Sequence, residues 1–257
     1  YDHRDVGSEP FGHIIENNRL RAALYDGVRA EKNIHWHAPA STADLVRESE
    51  AVQITLDNGK VLRAPLLLVA DGRFSQTRKR LGIEARVTQY GQTAMVCTLT
   101  HTQPHNGLAL ERFMAPGPFA ALPMSDDPSG KPRSNIVWSE TDAMAARMMQ
   151  LSESEFLSEL RSRLGDYLGD IALAGPRFTY PLMLILAERY TDARVALIGD
   201  SAHGIHPIAG QGVNLGYRDV AAMADLIIDQ ARLGLDLGSA TMLAHYARWR
   251  SFDVTST

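Results

Sequence analysis

Residues 194–219 read RVALIGDSAHGIHPIAGQGVNLGYRD, and the fold is decided there. Arg194 to Ile198 is an apolar strand that stops at Gly199 and Asp200; a glycine-punctuated loop follows, and a long helix is expected from about Val213 to Leu233. In open α/β sheets, ligands bind at the carboxyl ends of strands. A carboxylate at that place, Asp200, can accept two hydrogen bonds from the diol of a ribose or ribitol. Glycines let backbone N–H groups approach a ligand's carbonyl and set it at the positive end of the helix that follows.

The same design occurs upstream. Leu66 to Ala70 is almost wholly apolar and ends at Asp71 and Gly72, with a helix expected from Ser75 to Leu81. A hairpin feeds it: Val52 to Leu56 alternates apolar with polar, Asp57, Asn58 and Gly59 make a tight turn, and Val61 leads onward. Nearer the start, the spacing of Leu20, Leu24 and Val28 predicts a helix over Asn18 to Glu31 with one buried face, and Ile34 to Trp36 reads as a short strand.

Between these stretches the texture changes. Thr93 to Thr100, Leu108 to Met114, Phe119 to Pro123 and Asn135 to Ser139 are strand-like and separated by Pro, Gly and Asp-rich turns, which predicts an antiparallel layer. Ala143 to Met149 suits a short helix. Ser152 with Glu155 is a capping-box pair opening a helix through about Leu164. Met144, Met148 and Met149 read as helix packing. The predicted class is α/β (α+β overall), with a partial Rossmann-like domain over residues 1–86 and 186–257 interrupted by an antiparallel substrate domain over 87–185.

Composition narrows the function. The 257 residues carry 26 basic and 30 acidic side chains without a long single-sign run, which gives no electrostatic reason to expect nucleic acid. Cys97 is the lone cysteine, so no internal disulfide is possible, and it reads as a small buried apolar residue. No apolar run is long enough to span a bilayer, and the first residues do not resemble a signal peptide, so a soluble, cytoplasmic protein is expected. Asp200, His203 and His206, or the pairs His101/His105 and His35/His37, could suggest a metal. The glycine-rich continuation would then go unexplained, so no metal is expected and His203 is read as supporting its loop.

The pattern formed by Gly199, Asp200, His203, Pro207, Gly210, Gln211, Gly212, Asn214 and Asp219 resembles the flavin ribityl motif of group A flavoprotein monooxygenases, and HPIAGQGVNLGYRDV is most similar to their ubiquinone-biosynthesis hydroxylases. A second motif agrees: Asp71, Gly72, Ser75 and Arg78 in ADGRFSQTR resemble the Asp-Gly motif tied to FAD and NAD(P)H binding. The resemblance implies that Asp200 binds the ribitol, that amides around Gly212, Val213 and Asn214 hold the flavin's pyrimidine edge, and that Pro207 lines the substrate side, its carbonyl orienting the substrate. GHIIENNRL resembles a helix start after which many members place Arg or Gln against the flavin; here the matching position is Asn17, a departure. The implied reaction has NAD(P)H reduce FAD, O₂ add to the flavin C4a carbon, and the hydroperoxide hydroxylate a phenolic ring.

By the same resemblance the substrate is a polyprenylated phenol. That implies an apolar tunnel, for which Phe113, Phe119, Leu122 and Met183 are candidates, and peripheral contact with the inner membrane, in a biosynthetic complex or homo-oligomer. Two other readings stand beside it: a hydroxylase of a small soluble aromatic acid, with an Arg or Tyr clamp, and a non-catalytic fragment or scaffold. No Gly-x-Gly-x-x-Gly follows a first strand, and both ends read as cuts, the expected missing piece being roughly a hundred residues.

Overall fold

The computed structural model describes residues 1–207 and 210–255. In chain order the elements are α1 (Asn17–Ala30), β1 (Thr42–Arg47), β2 (Val52–Leu56), β3 (Val61–Ala64), β4 (Leu67–Val69), α2 (Gln76–Arg80), β5 (Ala85–His101), β6 (Leu110–Met114), β7 (Gly117–Met124), β8 (Arg133–Thr141), α3 (Asp142–Gln150), α4 (Glu153–Leu164), β9 (Ile171–Leu173), β10 (Phe178–Ala187), β11 (Thr191–Asp192), β12 (Val195–Leu197), β13 (His203–Gly204), α5 (Gln211–Arg232) and α6 (Ala240–Thr255). They form two compact units: Tyr1–Trp36 with Gly91–Pro181, and His37–Tyr90 with Leu182–Thr257. The chain changes unit inside β5 and inside β10. Its first segment, however, groups with the antiparallel unit, where Glu16 beside α1 pairs with Arg133 of β8 at 2.9 Å.

In the antiparallel unit the strands run β6-β7-β8-β5, with β9 also on β5. Directly opposed residues share a face. Met95, Trp138 and Phe119 therefore make one row and Cys97, Ile136 and Ala121 the next. Both rows are buried with Met148 of α3 and Phe156, Leu160 and Leu164 of α4. The Trp138 and Phe156 rings lie 5.9 Å apart, and the Arg163 guanidinium sits 4.2 Å above Trp138. The capping box forms as the sequence indicates, with Ser152 N–H donating to Glu155 Oε2 at 2.9 Å. Met148 is buried here, Met144 and Met149 pack at its margin, and Cys97 is a core residue. Burial pushes the Cys97 thiol up to about 12, with Arg177 opposing.

In the α/β unit β2 pairs antiparallel with β1 and β3, while β12 lies between β11 and a parallel β4, Leu197 opposite Val69. Both faces of β12 are covered, the usual state of a parallel strand. Val195 and Leu197 join Val52, Val69, Leu81 and Ile83 on one side. Ala196 joins Ala222, Met223, Leu243 and Tyr246 of α5 and α6 on the other.

Three expectations need correction. Ile34 to Trp36 forms no strand, because no neighbouring strand takes its backbone groups; Trp36 instead meets the Tyr25 ring edge-on at 4.7 Å. Helix α1 forms as expected, yet none of its residues is buried: Leu20 and Val28 are half-buried and Leu24 is exposed. Phe119 is 0% exposed within the helix-covered face, so it cannot line a passage for substrate. Phe113 and Leu122 lie on the opposite face by strand alternation, Phe113 being 75% exposed. Met183 is half-buried in β10.

Candidate flavin site at the strand ends

Beyond β12 the chain makes a 3-10 turn at Gly199–Ser201. Gly199 has φ +60, a left-handed conformation that favours glycine. Its N–H donates to Asp219 Oδ2 at 2.7 Å, and His203 Nε2 lies 2.7 Å from the same oxygen. Arg250 of α6 donates from Nε to Asp219 Oδ1 at 2.5 Å. Asp219 is 0% exposed, and a buried charge is tolerable only when paired and hydrogen-bonded. Burial works against its ionisation, but the bond from His203, the Gly199 N–H and Arg250 outweigh that and hold its carboxyl below the ordinary carboxylate range. Because a carboxylate only accepts, His203 carries its hydrogen on Nε2, and its buried Nδ1 has no hydrogen-bond partner among the described residues. His203 thus supports the loop, as its position in the sequence indicates.

The residues expected from sequence divide into two kinds. Gly210 is the N-cap of α5 at φ +63, with no side chain capping the helix and no acidic residue in the first turn. The first N–H groups of a helix have no partner within it, so the amides of Gln211, Gly212 and Val213 can receive an acceptor. A Cβ built on Gly210 or Gly212 would meet nothing within 4 Å. Asn214 turns back, its Nδ2 lying 3.4 Å from the Gly210 carbonyl. Pro207 is exposed, and its carbonyl already accepts from Gly210 N–H at 3.1 Å, so one of its two lone pairs is taken by the turn.

Asp71, Gly72 and Arg78 serve mainly as framework. Asp71 accepts from the Ser75 hydroxyl and, at 3.1 Å, from Thr77 N–H, so its carboxylate fixes the start of α2. Burial opposes this, and the two bonds still leave its carboxyl below the ordinary range. Gly72 is left-handed at φ +84. Arg78 is buried and donates from Nη1 to the Ser201 carbonyl at 2.7 Å, joining the loop after β4 to the loop after β12. Arg73, unassigned in the sequence reading, makes a second link to Asp200. Asn17 opens α1 in the other unit.

Asp219 stands in the motif without a role assigned from sequence, and its partner Arg250 lies outside it. Asp219 had a visible signal: it falls in the buried stripe of α5 with Leu215, Ala222, Met223 and Leu226, and a carboxylate in an apolar stripe demands a cationic partner. Arg250, 31 residues further on, had none. Among the described residues no group of three His, Cys, Asp or Glu side chains is gathered that could hold a metal, and no helix is long and apolar enough to cross a membrane.

A strand-end carboxylate with an open oxygen, in a turn packed against an uncapped helix, can hold a group bearing hydroxyls on one side and carbonyls on the other. The FAD binding domain family model matches residues 13–250. The chain belongs to the FAD binding domain family. Among curated relatives of this FAD binding chain, the ubiquinone hydroxylase UbiL of Rhodospirillum rubrum is 43% identical over 244 residues, covering 95% of this chain and 56% of the relative. The ubiquinone hydroxylase UbiM of Neisseria meningitidis is 33% identical over 244 residues, covering 95% and 52%. The chain thus spans little more than half the length of these relatives. The fold resembles the crystal structure of PqsL, a probable FAD-dependent monooxygenase from Pseudomonas aeruginosa, with a TM-score of 0.75 and 26% identity over 90% of this chain and 64% of that one. PqsL has also been crystallised with 2-aminobenzoylacetate.

Proposed function

We propose that this chain is the flavin-holding part of an FAD- and NAD(P)H-dependent monooxygenase that hydroxylates the ring of a polyprenylated phenol in ubiquinone biosynthesis. The observation that carries the reading is α5, uncapped at its start and packed through Gly216 against Gly199 next to Asp200, in a chain 43% identical to a ubiquinone hydroxylase. FAD, once reduced by NAD(P)H, supplies the electrons with which one atom of O₂ enters the ring and the other leaves as water.

The chain's own residues bind and orient. The amides of Gly212 and Val213 would donate to the carbonyls of the flavin's pyrimidine edge, with Gln211, Gly210 and Asn214 shaping the approach. The positive end of the 22-residue α5 would favour the negative charge of the reduced ring. Asp200 Oδ1 would accept from ribityl hydroxyls, Gly199 setting its direction. Asp71, Gly72 and Arg78 would keep the neighbouring loop in place, and Pro207 would face the substrate. The prenyl tail would run over the open sheet face bearing Leu122 and Phe113 and bring the protein into peripheral contact with a membrane.

A second reading, a hydroxylase of a small aromatic acid, draws support from the PqsL complex with 2-aminobenzoylacetate. The test is to purify the protein, record its visible spectrum, and follow NADH and NADPH oxidation with a prenylated phenol and with anthranilate-type acids. A yellow protein that adds one oxygen atom to the prenylated phenol by mass supports the first reading. Turnover of the acid alone selects the second, and a colourless protein that takes up no added FAD defeats both.

A further inference from the structure

We propose that Arg73 is a positioning residue for Asp200, tying down one carboxylate oxygen so that the other faces the hydroxyls of a polyol arm. The inference rests on the flavin reading above and concerns a residue outside the motifs that led to it.

Arg73 follows Gly72 in the loop between β4 and α2. Its Nε and Nη2 both donate to the same oxygen of Asp200, Oδ2, at 3.2 and 3.1 Å. Oδ1 has no hydrogen bond among the described residues. Another arginine of this chain behaves differently: Arg194 engages both oxygens of Asp236, Nη1 to Oδ1 at 2.8 Å and Nη2 to Oδ2 at 2.7 Å. That fork uses both carboxylate oxygens, whereas Arg63 closes Nε and Nη2 on Oε2 of Glu48 alone, as Arg73 does on Oδ2 of Asp200. What sets the Asp200 pair apart is its place at the end of β12, not the fork itself. The fork on Asp200 closes on one oxygen and leaves the lone pairs of the other unused.

Arg73 is itself held from both sides. Its carbonyl accepts from Arg78 Nη2 at 3.2 Å, while Arg78 Nη1 reaches the Ser201 carbonyl. Its Cβ packs close to Gly204, where an added Cβ would come within 3.4 Å. Arg73 and Asp200 are each 37% exposed, so the pair lies where solvent or a ligand can reach it. At that exposure the ion pair adds little to folding stability. What it does provide is a carboxylate already oriented, which spares a ligand the cost of ordering it.

The test compares riboflavin, which carries the ribityl arm, with lumiflavin, which has the ring system and no arm. Their affinities are read from flavin fluorescence on titration with the full chain. Arg73→Met is expected to weaken riboflavin binding about tenfold, or about 1.4 kcal/mol, while lumiflavin changes by less than about twofold. Arg73→Lys should recover part of the loss. On an Asp200→Asn background, Arg73→Met should cost nothing further, because the group it positions is gone. The urea midpoint of Arg73→Met should match the parent's. The proposal is overturned if riboflavin affinity survives Arg73→Met, if lumiflavin weakens equally, or if the two substitutions add in full. A parent chain that binds neither flavin defeats the flavin reading and this proposal together. A parent that binds both, with Arg73→Met indifferent, defeats this proposal alone.

Discussion

Both units bury apolar cores, but the α/β unit also buries a knot of ionisable groups. Around Trp138, Phe119 and Phe156 the antiparallel unit closes a core of apolar side chains. Around Asp219 the α/β unit closes a knot of ionisable ones, with Arg250, His203 and the Gly199 N–H on a single carboxylate. Apolar packing degrades gradually as volume is lost, because neighbours relax. A charge knot gives way more abruptly: removing one member leaves buried charge short of a partner. The first kind of centre maintains a shape, whereas the second fixes a loop to one conformation.

The sharpest way to break this contrast is Asp219→Ala, which removes the carboxylate shared by His203 and Arg250 and leaves Arg250 with Asp253 as its remaining ion pair, at 2.6 Å. It should cost about 3–5 kcal/mol in urea unfolding; a loss below about 1 kcal/mol would mean the knot is no more than packing. Acid offers the same test by titration. A carboxyl held below its ordinary range in the folded chain contributes stability that is complete above the ordinary carboxylate range and lost as pH falls through the folded value. Unfolding free energy measured from neutral pH downward should therefore fall for the parent, and Asp219→Asn should start lower and fall less. In the apolar centre, Ile136→Val should cost about 0.5–1.5 kcal/mol at all pH values, and a pH-dependent loss would erase the contrast. The smallest signal is chemical. Cys97 should resist a disulfide reagent at pH 8 in the folded chain, since burial pushes its thiol up to about 12, and should react once after urea is added. Prompt labelling without denaturant would show that the antiparallel core opens.

Local chemistry was what the sequence could disclose. The hairpin over β2 and β3, the cap at Ser152 and the start of α5 each depend on residues a few positions apart, and each forms as its residues indicate. β10 went unread because Pro181 sits inside it and LMLILA does not alternate, two features that argue against a strand until a partner is known. Ile34 to Trp36 failed for the converse reason, having strand-like residues and no partner. In the site, Gly199, Asp200 and Gly210 were legible as a loop design. The Arg73–Asp200 contact spans 127 positions, and no spacing rule foretells it.

That span has a consequence for how such a chain can change over generations. β4 and β12 are hydrogen-bonded neighbours, yet the whole antiparallel unit after Gly91 is strung between them. Closing a longer excursion is cheap, about 0.6 kcal/mol for each doubling of its length. The intervening module can therefore be lengthened, shortened or exchanged while the two strand ends stay stitched by Arg73 and Arg78.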